Sequence, residues 1–460
     1  MNEKKPLSNL LRWTYGFVDL TATIHNNTGN ILFTYVLTNV LMFELSNVLL
    51  INSVASTVCM FVPWIIGAIM SGTPAMKWGR YRSWLLLAAP IANLAFVFKF
   101  TRVPGSETFA AWVVIVAYII NGFSNSACYI ANGSLLNVIS SNAAERTMLS
   151  RNRGFHTALA SVLYSYTGTP LALALAALLA NMAAGYTGMV ACVAIVNCLT
   201  MWYTVWATRG YEGPGVVDVA TEKRASLKTM LKSLVQNRSL CGLVVSDILR
   251  FTSNMTVMGT QTYFFTYVMQ DTKLMTAYIF WGGIFQTIGS YASGSLVKKF
   301  SAKWMLTAAE FVIAAALALC FVSTGRGAMV FILLMIYRFS HGFSYSIFFN
   351  SYADCVVYGE WKTGQSVPGF TLSLTSVAAQ LGSMIKSWML PLILIAIEFN
   401  AKIPVEECSA TVINGISKTF SFVPAGIRLV SALIILVVYN LTKEKVQQCE
   451  SEIKARKASV

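Results

Sequence analysis

The sequence predicts an all-α membrane protein with about twelve transmembrane helices in two six-helix halves. Of its 460 residues, 56% are hydrophobic and 12% are charged, and the mean hydropathy is +0.60. Soluble domains carry about 25% charged residues. Apolar runs long enough to cross a hydrocarbon core of about 30 Å recur along almost the whole chain, so we expect the lipid bilayer to surround most of it.

Hydropathy also predicts where the helices lie and how they are oriented. The predicted spans lie at roughly 13–38, 46–71, 84–101, 109–137, 154–181, 186–208, 239–267, 274–296, 304–323, 328–352, 366–396 and 420–441. Lys and Arg number 24 on the side of the termini, 6 on the other side and 4 inside helices. Lys99 counts among the six, at the outer end of the third span. Positive-inside bias therefore predicts cytoplasmic termini in a cell inner membrane.

A polar, basic segment at 210–238 divides the chain. We expect a cytoplasmic linker there, between an N-terminal bundle at 1–209 and a C-terminal bundle at 239–441, with a cytoplasmic tail at 442–460. Basic loops follow the second and the eighth spans, which indicates an internal repeat, although topology alone also produces such loops. Repeats of this kind place a substrate site between two pseudosymmetric bundles.

Several function classes are disfavoured. The net charge of +15 comes from short basic clusters between apolar runs, so it reflects topology rather than a nucleic-acid surface. His25, His156 and His341 are far apart and the cysteines form no Cys-x-x-Cys pair, so we expect no metal or cofactor. No P-loop or nucleophile elbow suggests an enzyme, and twelve spans leave no room for a receptor's output domain. We therefore expect a monomeric carrier of a small-molecule solute.

Polar side chains inside the predicted spans are the site candidates, because a charge at bilayer depth costs from about 3 to more than 10 kcal/mol. On the first helix, spacings of three or four place polar residues on one face, while His25 lies beside it. Carboxylates, amides and hydroxyls match sugar hydroxyls, which donate and accept hydrogen bonds. The alternative is helix-to-helix packing through these groups. The stripe comprises Asp19, Thr23, Asn26, Asn27 and Asn30, and the fourth helix carries Asn121, Asn125, Tyr129 and Asn132.

Four stretches, in order along most of the chain, resemble one family. They are Tyr15-Gly-Phe-Val-Asp19, Trp78-Gly-Arg-Tyr-Arg-Ser-Trp84, Gly133-Ser-Leu-Leu136 followed by Glu145-Arg146, Leu149-Ser150 and Arg153, and Ala353-Asp-Cys-Val-Val-Tyr-Gly-Glu-Trp-Lys-Thr-Gly364. The sequence is similar to the glycoside-pentoside-hexuronide:cation symporters, melibiose-carrier relatives of the major facilitator superfamily. Ser83 replaces a family proline and Val357 a family aspartate. The resemblance implies a major facilitator fold that carries a sugar or glycoside with Na⁺, Li⁺ or H⁺ by alternating access.

The resemblance also implies site residues. The family's sugar-binding carboxylate falls at Tyr129, whose ring can stack on a sugar but cannot accept two charged hydrogen bonds. Its arginine falls at Arg153, for which a cytoplasmic loop charge is the alternative. Its lysine on the eleventh helix falls at Gln380, with Lys386 almost two turns later. The candidate substrate residues are Asp19, Thr23, Asn26, Asn27, Asn125, Tyr129, Asn132, Arg153, Arg250 and Gln380.

Other intramembrane charges have two interpretations each. Asp247 and Arg250 are three residues apart, so they form either an internal pair or a substrate contact. His341, three residues after Arg338, favours a packing role over proton transfer. Glu310 has no ionisable neighbour in sequence, so we expect it near an interface. A cytoplasmic gate, or simple loop anchoring, is predicted for Asp354, Tyr358, Glu360 and Lys362 after the tenth helix and for Arg80 and Arg82 of the first basic loop.

The family's Na⁺ site is replaced. Its two carboxylates on the second helix fall at Pro63 and Gly67, and its basic neighbour falls at Met60. Residues 45–77 contain no acid at all. Because neither sign is left alone, the site is neutralised as a unit. Asp19 then remains for coupling, so we predict H⁺ symport or uncoupled uniport or exchange. A non-sugar organic anion is the alternative substrate.

Overall fold

A computed structural model describes residues 6–74, 76–212, 234–296, 301–364 and 368–458. Within these ranges the chain is helical, and the only β pairing is two isolated bridges. Clustering of contacts divides it into unit 1, Met1–Thr221 with Pro391–Glu406, and unit 2, Glu222–Leu390 with Glu407–Val460. Most of the predicted linker lies outside the described residues.

Unit 1 contains six helical segments in its described part. They are α1 (Asn9–Thr14), α2 (Phe17–Ile31), α3 (Phe33–Tyr35) with a π-helical turn at Val36–Val40, α4 (Leu45–Gly72), α5 (Arg80–Lys99), α6 (Glu107–Ile139), α7 (Ala143–Thr167), α8 (Thr169–Leu179) and α9 (Met182–Ala207). The helices α1 to α3 with the π turn make up the first segment. The fifth segment is interrupted at Gly168, where α7 ends and α8 begins with a proline in its first turn.

Unit 2 repeats this pattern within the described ranges. Its helices are α10 (Arg238–Tyr263) with a π-helical turn at Phe264–Val268, α11 (Thr272–Leu296), α12 (Ala302–Val322), α13 (Gly327–Thr363), α14 (Pro368–Ala396), α15 (Ala410–Val438) and a terminal α16 (Lys443–Ala458). Nine helices of the described residues are long and apolar enough to cross a membrane. The predicted twelve-helix architecture is confirmed, with longer helices than hydropathy indicated. Hydropathy detects the lipid-facing part, whereas α13 runs on to Thr363 through polar residues.

The first long helices of the two units end in the same way. Leu41 N–H donates to Val36 O (2.8 Å) and Met269 N–H to Phe264 O (3.0 Å), which closes a π turn in each unit. The next residues, Met42 and Gln270, both adopt a left-handed conformation, with φ of 54° and 50°. The interval from Asp19 to Met42 equals that from Asp247 to Gln270. These two aspartates therefore occupy equivalent positions on α2 and α10, as an internal repeat requires.

Close helix crossings depend on small residues. On α11, a Cβ at Gly289 would collide with the main-chain oxygen of Phe339, and on α13 a Cβ at Gly342 would collide with the main-chain oxygen of Gln286. Without a strong hydrophobic driving force in lipid, such close backbone approach is a main source of association between helices. The crossing fixes α13, which carries many of the buried polar groups of unit 2.

Candidate functional site

Unit 1 contains a polar cavity of about 370 Å³, formed mainly by α2, α6 and α7. Its size falls within the range of small-molecule sites, about 300–1,000 Å³. Seven of the ten predicted substrate residues line it, which places one face of α2 opposite one face of α6. The lining residues are Val18, Asp19, Ala22, Thr23, Asn26, Asn125, Cys128, Tyr129, Asn132, Ser150, Arg153, Gly154, Thr157 and Met201.

An ion pair between α2 and α7 forms one wall of the cavity. Arg153 Nε donates to Asp19 Oδ2 and Arg153 Nη2 to Asp19 Oδ1, each at 2.8 Å. This two-point pairing fixes the orientation of both side chains. They remain 20% and 11% exposed, so they are in reach of a solute in the cavity. Arg153 is therefore a paired charge of the cavity wall and not a free loop charge.

Hydrogen bonds at the start of α2 hold this pair in place. Asn152 of α7 accepts from the Gly16 N–H (2.8 Å) and donates to Trp13 O (3.0 Å). The Tyr15 hydroxyl donates to the main-chain oxygen of Asn132 on α6 (2.7 Å). Three helices are thus tied together one turn from the Asp19 carboxylate. The Tyr15–Asp19 stretch of the sequence supplies both the anchor and the charge.

The opposite wall offers amides and an aromatic ring. Asn125 Nδ2 and Asn26 Oδ1 lie 3.5 Å apart, so each amide keeps hydrogen-bonding capacity for a solute. Tyr129 is 67% exposed and presents its ring to the cavity. The Thr23 hydroxyl already donates to Asp19 O (2.6 Å) and can still accept. This combination suits a polyhydroxylated ring with one less polar face.

Three predicted substrate residues lie elsewhere. Asn27 is half-buried on α2 and does not line the cavity, while Arg250 and Gln380 belong to unit 2. Ser150 and Thr157 of α7 do line it and were absent from the prediction. Both could have been found from the sequence, since Ser150 lies three residues before Arg153 and Thr157 lies four residues after it, on the same helical face. They were missed because the start of this helix had been placed too late.

His25 belongs to a second polar cluster of unit 1. The amide nitrogens of Asn121 and Asn197 lie 3.4 Å from its Nε2 and Nδ1, and Asn197 also donates to Asn93 Oδ1 (3.0 Å). All four side chains are buried. The cluster joins α2, α5, α6 and α9 through neutral side chains, and one of the two amides donates to the imidazole, because a neutral imidazole has a single acceptor nitrogen.

In unit 2, the four helices equivalent to these, α10, α12, α13 and α15, hold an ionic cluster. Arg428 of α15 donates to Glu310 Oε2 on α12 (2.7 Å) and to Ser253 Oγ on α10 (3.1 Å), and lies 3.2 Å from His341 Nδ1 on α13. Ser344 donates to the other Glu310 oxygen (2.5 Å). Both charged side chains are 0% exposed. Glu310 is thus buried inside unit 2, and its partner is 118 residues away in sequence.

Asp247 and Arg250 form the internal pair that their spacing allowed. Arg250 Nε and Nη2 both donate to Asp247 Oδ1, at 2.8 and 2.5 Å, and the Tyr352 hydroxyl donates to Asp247 Oδ2 at 3.1 Å. Both charged side chains are buried. Within the described ranges Arg250 Nη1 makes no hydrogen bond. The pair therefore keeps an unfilled donor at bilayer depth.

Lys99 lies inside unit 1 rather than at its outer surface. Its Nζ is 3.7 Å from the ring centroid of Tyr118 and 4.2 Å from that of Phe33. The side chain is 4% exposed. Cation–π contacts with these rings offset part of the cost of burial. Lys99 is therefore a buried charge and not one of the six external charges that the sequence predicted.

The predicted gate residues fall into two groups. In unit 1, the Glu212 carboxylate accepts from the main-chain N–H groups of Arg80 and Arg82, while the Arg82 side chain donates to Val205 O and Trp78 O. In unit 2, Asp354, Tyr358, Glu360 and Lys362 lie on the last turns of α13 rather than in a loop. Lys362 Nζ donates to Gln236 O (2.7 Å).

Two six-segment units, with a polar cavity inside one of them, define a membrane transporter. Residues 14–443 match the family described as MFS/sugar transport protein, and the chain belongs to this family. It is a glycoside-pentoside-hexuronide:cation symporter relative and a secondary transporter of the sugar type, as its resemblance implied.

Individual relatives agree with this assignment. The chain is 25% identical over 388 residues to the glucuronide carrier protein homolog of Escherichia coli, covering 83% of this chain and 81% of that protein. It is 27% identical over 447 residues to the isoprimeverose transporter of Lactiplantibacillus pentosus, covering 95% and 90%. The solved structure of a bacterial homologue of the lysosomal transporter Spinster has the same fold, with a TM-score of 0.72, 10% identity and coverage of 97% and 99%.

Proposed function

We propose that this transporter binds a sugar, glycoside or sugar acid in the cavity of unit 1. The observation that carries the proposal is the Asp19–Arg153 pair, which is held rigidly and still faces a cavity of about 370 Å³. Asp19 accepts hydrogen bonds from sugar hydroxyls and Arg153 donates to ring or hydroxyl oxygens. Tyr129 stacks on the less polar face of the ring.

Two relatives support this range of solutes. One is the glucuronide carrier protein homolog and the other the isoprimeverose transporter, so the names of similar proteins include an acidic and a neutral glycoside. The second candidate, an organic anion without a sugar ring, is favoured by one observation only. This is the unfilled Nη1 of Arg250 in unit 2.

Coupling by Na⁺ through the family site is not part of the proposal. Pro63 lies inside α4 in place of a carboxylate, and Met60 and Gly67 carry no charge either. We propose H⁺ symport, or uncoupled uniport or exchange, with Asp19 as the coupling residue for neutral solutes. The protein acts as a monomer, since both six-segment units lie in one chain.

We further propose that the protein lies in the inner membrane with cytoplasmic termini, from the excess of Lys and Arg on the side of the termini, 24 against 5 once the buried Lys99 is left out. Cysteines introduced at Lys228, outside the described residues, and at Glu406, in the segment between α14 and α15, test this orientation. An impermeant thiol reagent should label Glu406→Cys in intact cells and Lys228→Cys only after permeabilisation. Labelling of Lys228→Cys in intact cells would reverse the orientation.

Uptake into proteoliposomes tests the substrate assignment. The panel contains isoprimeverose, xylose, lactose, a methyl glucoside, glucuronate and an aryl glucuronide, with citrate as an acid that has no sugar ring. We expect uptake of at least one sugar-type solute. Asp19→Asn and Arg153→Lys should each lower its affinity tenfold or more, because a charge-assisted hydrogen bond contributes about 1.5–3 kcal/mol.

Asn27→Ala is the matched control. Asn27 lies on the same helix but outside the cavity, so this variant should stay within twofold of the wild type. A panel in which no sugar is bound or transported would refute the proposed function. Unchanged affinity in Asp19→Asn would refute the site.

A further inference from the structure

We propose that Asp247 and Arg250 form a site in unit 2, which binds the acid group of a sugar acid together with a proton. Arg250 leaves Asp247 for the carboxylate or sulfonate of the solute, and Asp247 takes up a proton from water. The inference rests on the proposed sugar-type function and names the acidic members of that class as substrates.

The geometry of the pair differs from that of Asp19 and Arg153. Arg153 uses two nitrogens on two carboxylate oxygens, whereas Arg250 directs two nitrogens at the single oxygen Asp247 Oδ1. The remaining nitrogen, Nη1, is buried and makes no hydrogen bond within the described part of the chain. An unfilled buried donor on a charged group is costly. A planar anion at the free edge of the guanidinium would remove this cost.

Three aromatic rings pack around the guanidinium. Its carbon lies 4.5, 5.3 and 4.6 Å from the ring centroids of Phe251, Tyr345 and Phe348. Phe348 is fully buried, but Tyr345 is 49% exposed. Tyr345 is therefore the most exposed of the three rings that contact the guanidinium. Arginine between aromatic faces retains its in-plane donors, which match carboxylates and sulfonates in two-point contacts.

Charge conservation links anion binding to a proton. Adding an anion to the intact pair would leave one uncompensated negative charge inside the membrane, which is strongly unfavourable. If Asp247 accepts a proton as Arg250 turns to the anion, the products are a neutral carboxylic acid and a neutral ion pair. No covalent bond forms other than the O–H bond of Asp247. Tyr352 continues to donate to Asp247 Oδ2 throughout.

The other acid near the pair is already committed, the neighbouring phenols are uncharged, and Lys386 is a buried cation. Glu310 of α12 is neutralised by Arg428 of α15 at 2.7 Å. From α13, Tyr352 and Tyr345 face the pair as neutral phenols, and His341 lies against Arg428. On α14, Lys386 follows by one turn the Gly382 that packs against Phe251. Asp247 is therefore the carboxylate whose only charged hydrogen-bond partner can be withdrawn by a solute.

The repeat supports a solute contact at this position. Asp247 is the equivalent of Asp19, which lines the cavity of unit 1. Each unit thus presents an Asp–Arg pair from the same level of its first long helix. The partly exposed Asp19–Arg153 pair suits neutral hydroxyls, and the buried Asp247–Arg250 pair, with its free donor, suits an acid.

Binding measured at two pH values tests the proposal with the purified full chain. The probes are glucuronate and the uncharged methyl glucoside. In the wild type, glucuronate should bind about a hundredfold more tightly at pH 5.5 than at pH 7.5, because uptake of one proton changes the binding constant about tenfold per pH unit, while methyl glucoside should be insensitive to pH. Asp247→Asn mimics the protonated form, so it should bind glucuronate at pH 7.5 as tightly as the wild type does at pH 5.5.

Further variants and a measurement of proton uptake separate the proposed site from the proposed function. Adding Arg250→Gln to Asp247→Asn should remove the preference for glucuronate over methyl glucoside, whereas Asp271→Asn, an exposed control in unit 2, should behave as the wild type. In weakly buffered solution the wild type should take up one proton per glucuronate and none per methyl glucoside, which requires no variant. Glucuronate binding without proton uptake, or with unchanged pH dependence in Asp247→Asn, would overturn this site. Failure of both probes and of the wider panel would instead refute the sugar function.

Discussion

Exposure decides what each buried acid–arginine pair can do. The Asp19–Arg153 pair is partly exposed and faces a cavity, so it is available to a solute. Glu310 and Arg428 are 0% exposed and fully bonded by Ser253 and Ser344. The Glu310–Arg428 pair therefore has a structural role, because its guanidinium joins α15 to α10 and α12.

Removing either Glu310 or Arg428 should destabilise the protein. We expect Glu310→Leu and Arg428→Met each to lower the free energy of unfolding by about 3–5 kcal/mol, because each leaves a buried charge alone. The double variant should recover most of the loss. The measurement is denaturation in detergent, as a double-mutant cycle.

Arg326→Met, at an exposed position before α13, is the matched control and should change stability by less than about 0.5 kcal/mol. Additive losses in the double variant would show that the two residues do not stabilise each other.

At the scale of elements, the terminal helix α16 docks on the end of α13. Trp361 Nε1 donates to Glu452 Oε2 (2.6 Å), and Arg456 donates to Trp361 O (3.0 Å). The Lys445 ammonium lies 4.9 Å from a Trp361 ring centroid. The family-like stretch at 353–364 therefore contacts the tail, which sequence analysis had treated as a separate segment. This contact fits the predicted latch and also the alternative of simple anchoring.

Docking of α16 should depend on pH. Hydrogen bonds from Trp361, and next from Gln448, hold the pKa of Glu452 below its usual value of 4.5. A lowered pKa means that the contribution to docking is complete above the usual value and is lost as pH falls through the docked value. Spin labels at Ala353→Cys and Lys454→Cys should show a longer distance below about pH 4 than at pH 7.

Two variants separate Glu452 from the other tail acids. Glu452→Gln should lengthen the same distance already at pH 7, while Glu450→Gln on the same helix should not. Equal behaviour of the two variants would assign the pH dependence to another group.

At the scale of the whole molecule, the missing carboxylates of α4 determine the expected energy source. With uncharged residues at 60, 63 and 67, α4 offers none of the carboxylate ligands of the family's Na⁺ site. We expect uptake to stay within twofold when choline replaces Na⁺ at fixed pH and membrane potential. For a sugar acid, a protonophore should abolish accumulation but leave exchange intact.

Tenfold or greater stimulation by Na⁺ would contradict this prediction and would require a cation site away from α4. Accumulation that survives the protonophore in the absence of Na⁺ would contradict H⁺ coupling.

The sequence alone determined the class, the twelve helices and seven of the residues that line the cavity of unit 1. Hydropathy reflects the solvent of each segment, and helical spacing places Asp19, Thr23 and Asn26 on one face, so both are local properties of the chain. The starts of α7 and α15 and the end of α13 were misplaced because these helices continue beyond the apolar part that hydropathy detects.

Only the tertiary structure decided which charges neutralise one another. Arg153 meets Asp19 across 134 residues, and Arg428 meets Glu310 across 118. Lys99 is buried against rings contributed by α3 and α6 rather than exposed at a helix end. Such partners follow from helix packing, which no local pattern encodes. The unfilled donor of Arg250 is likewise a three-dimensional property, because its neighbour in sequence satisfies two of its nitrogens and only the surrounding helices leave the third without an acceptor.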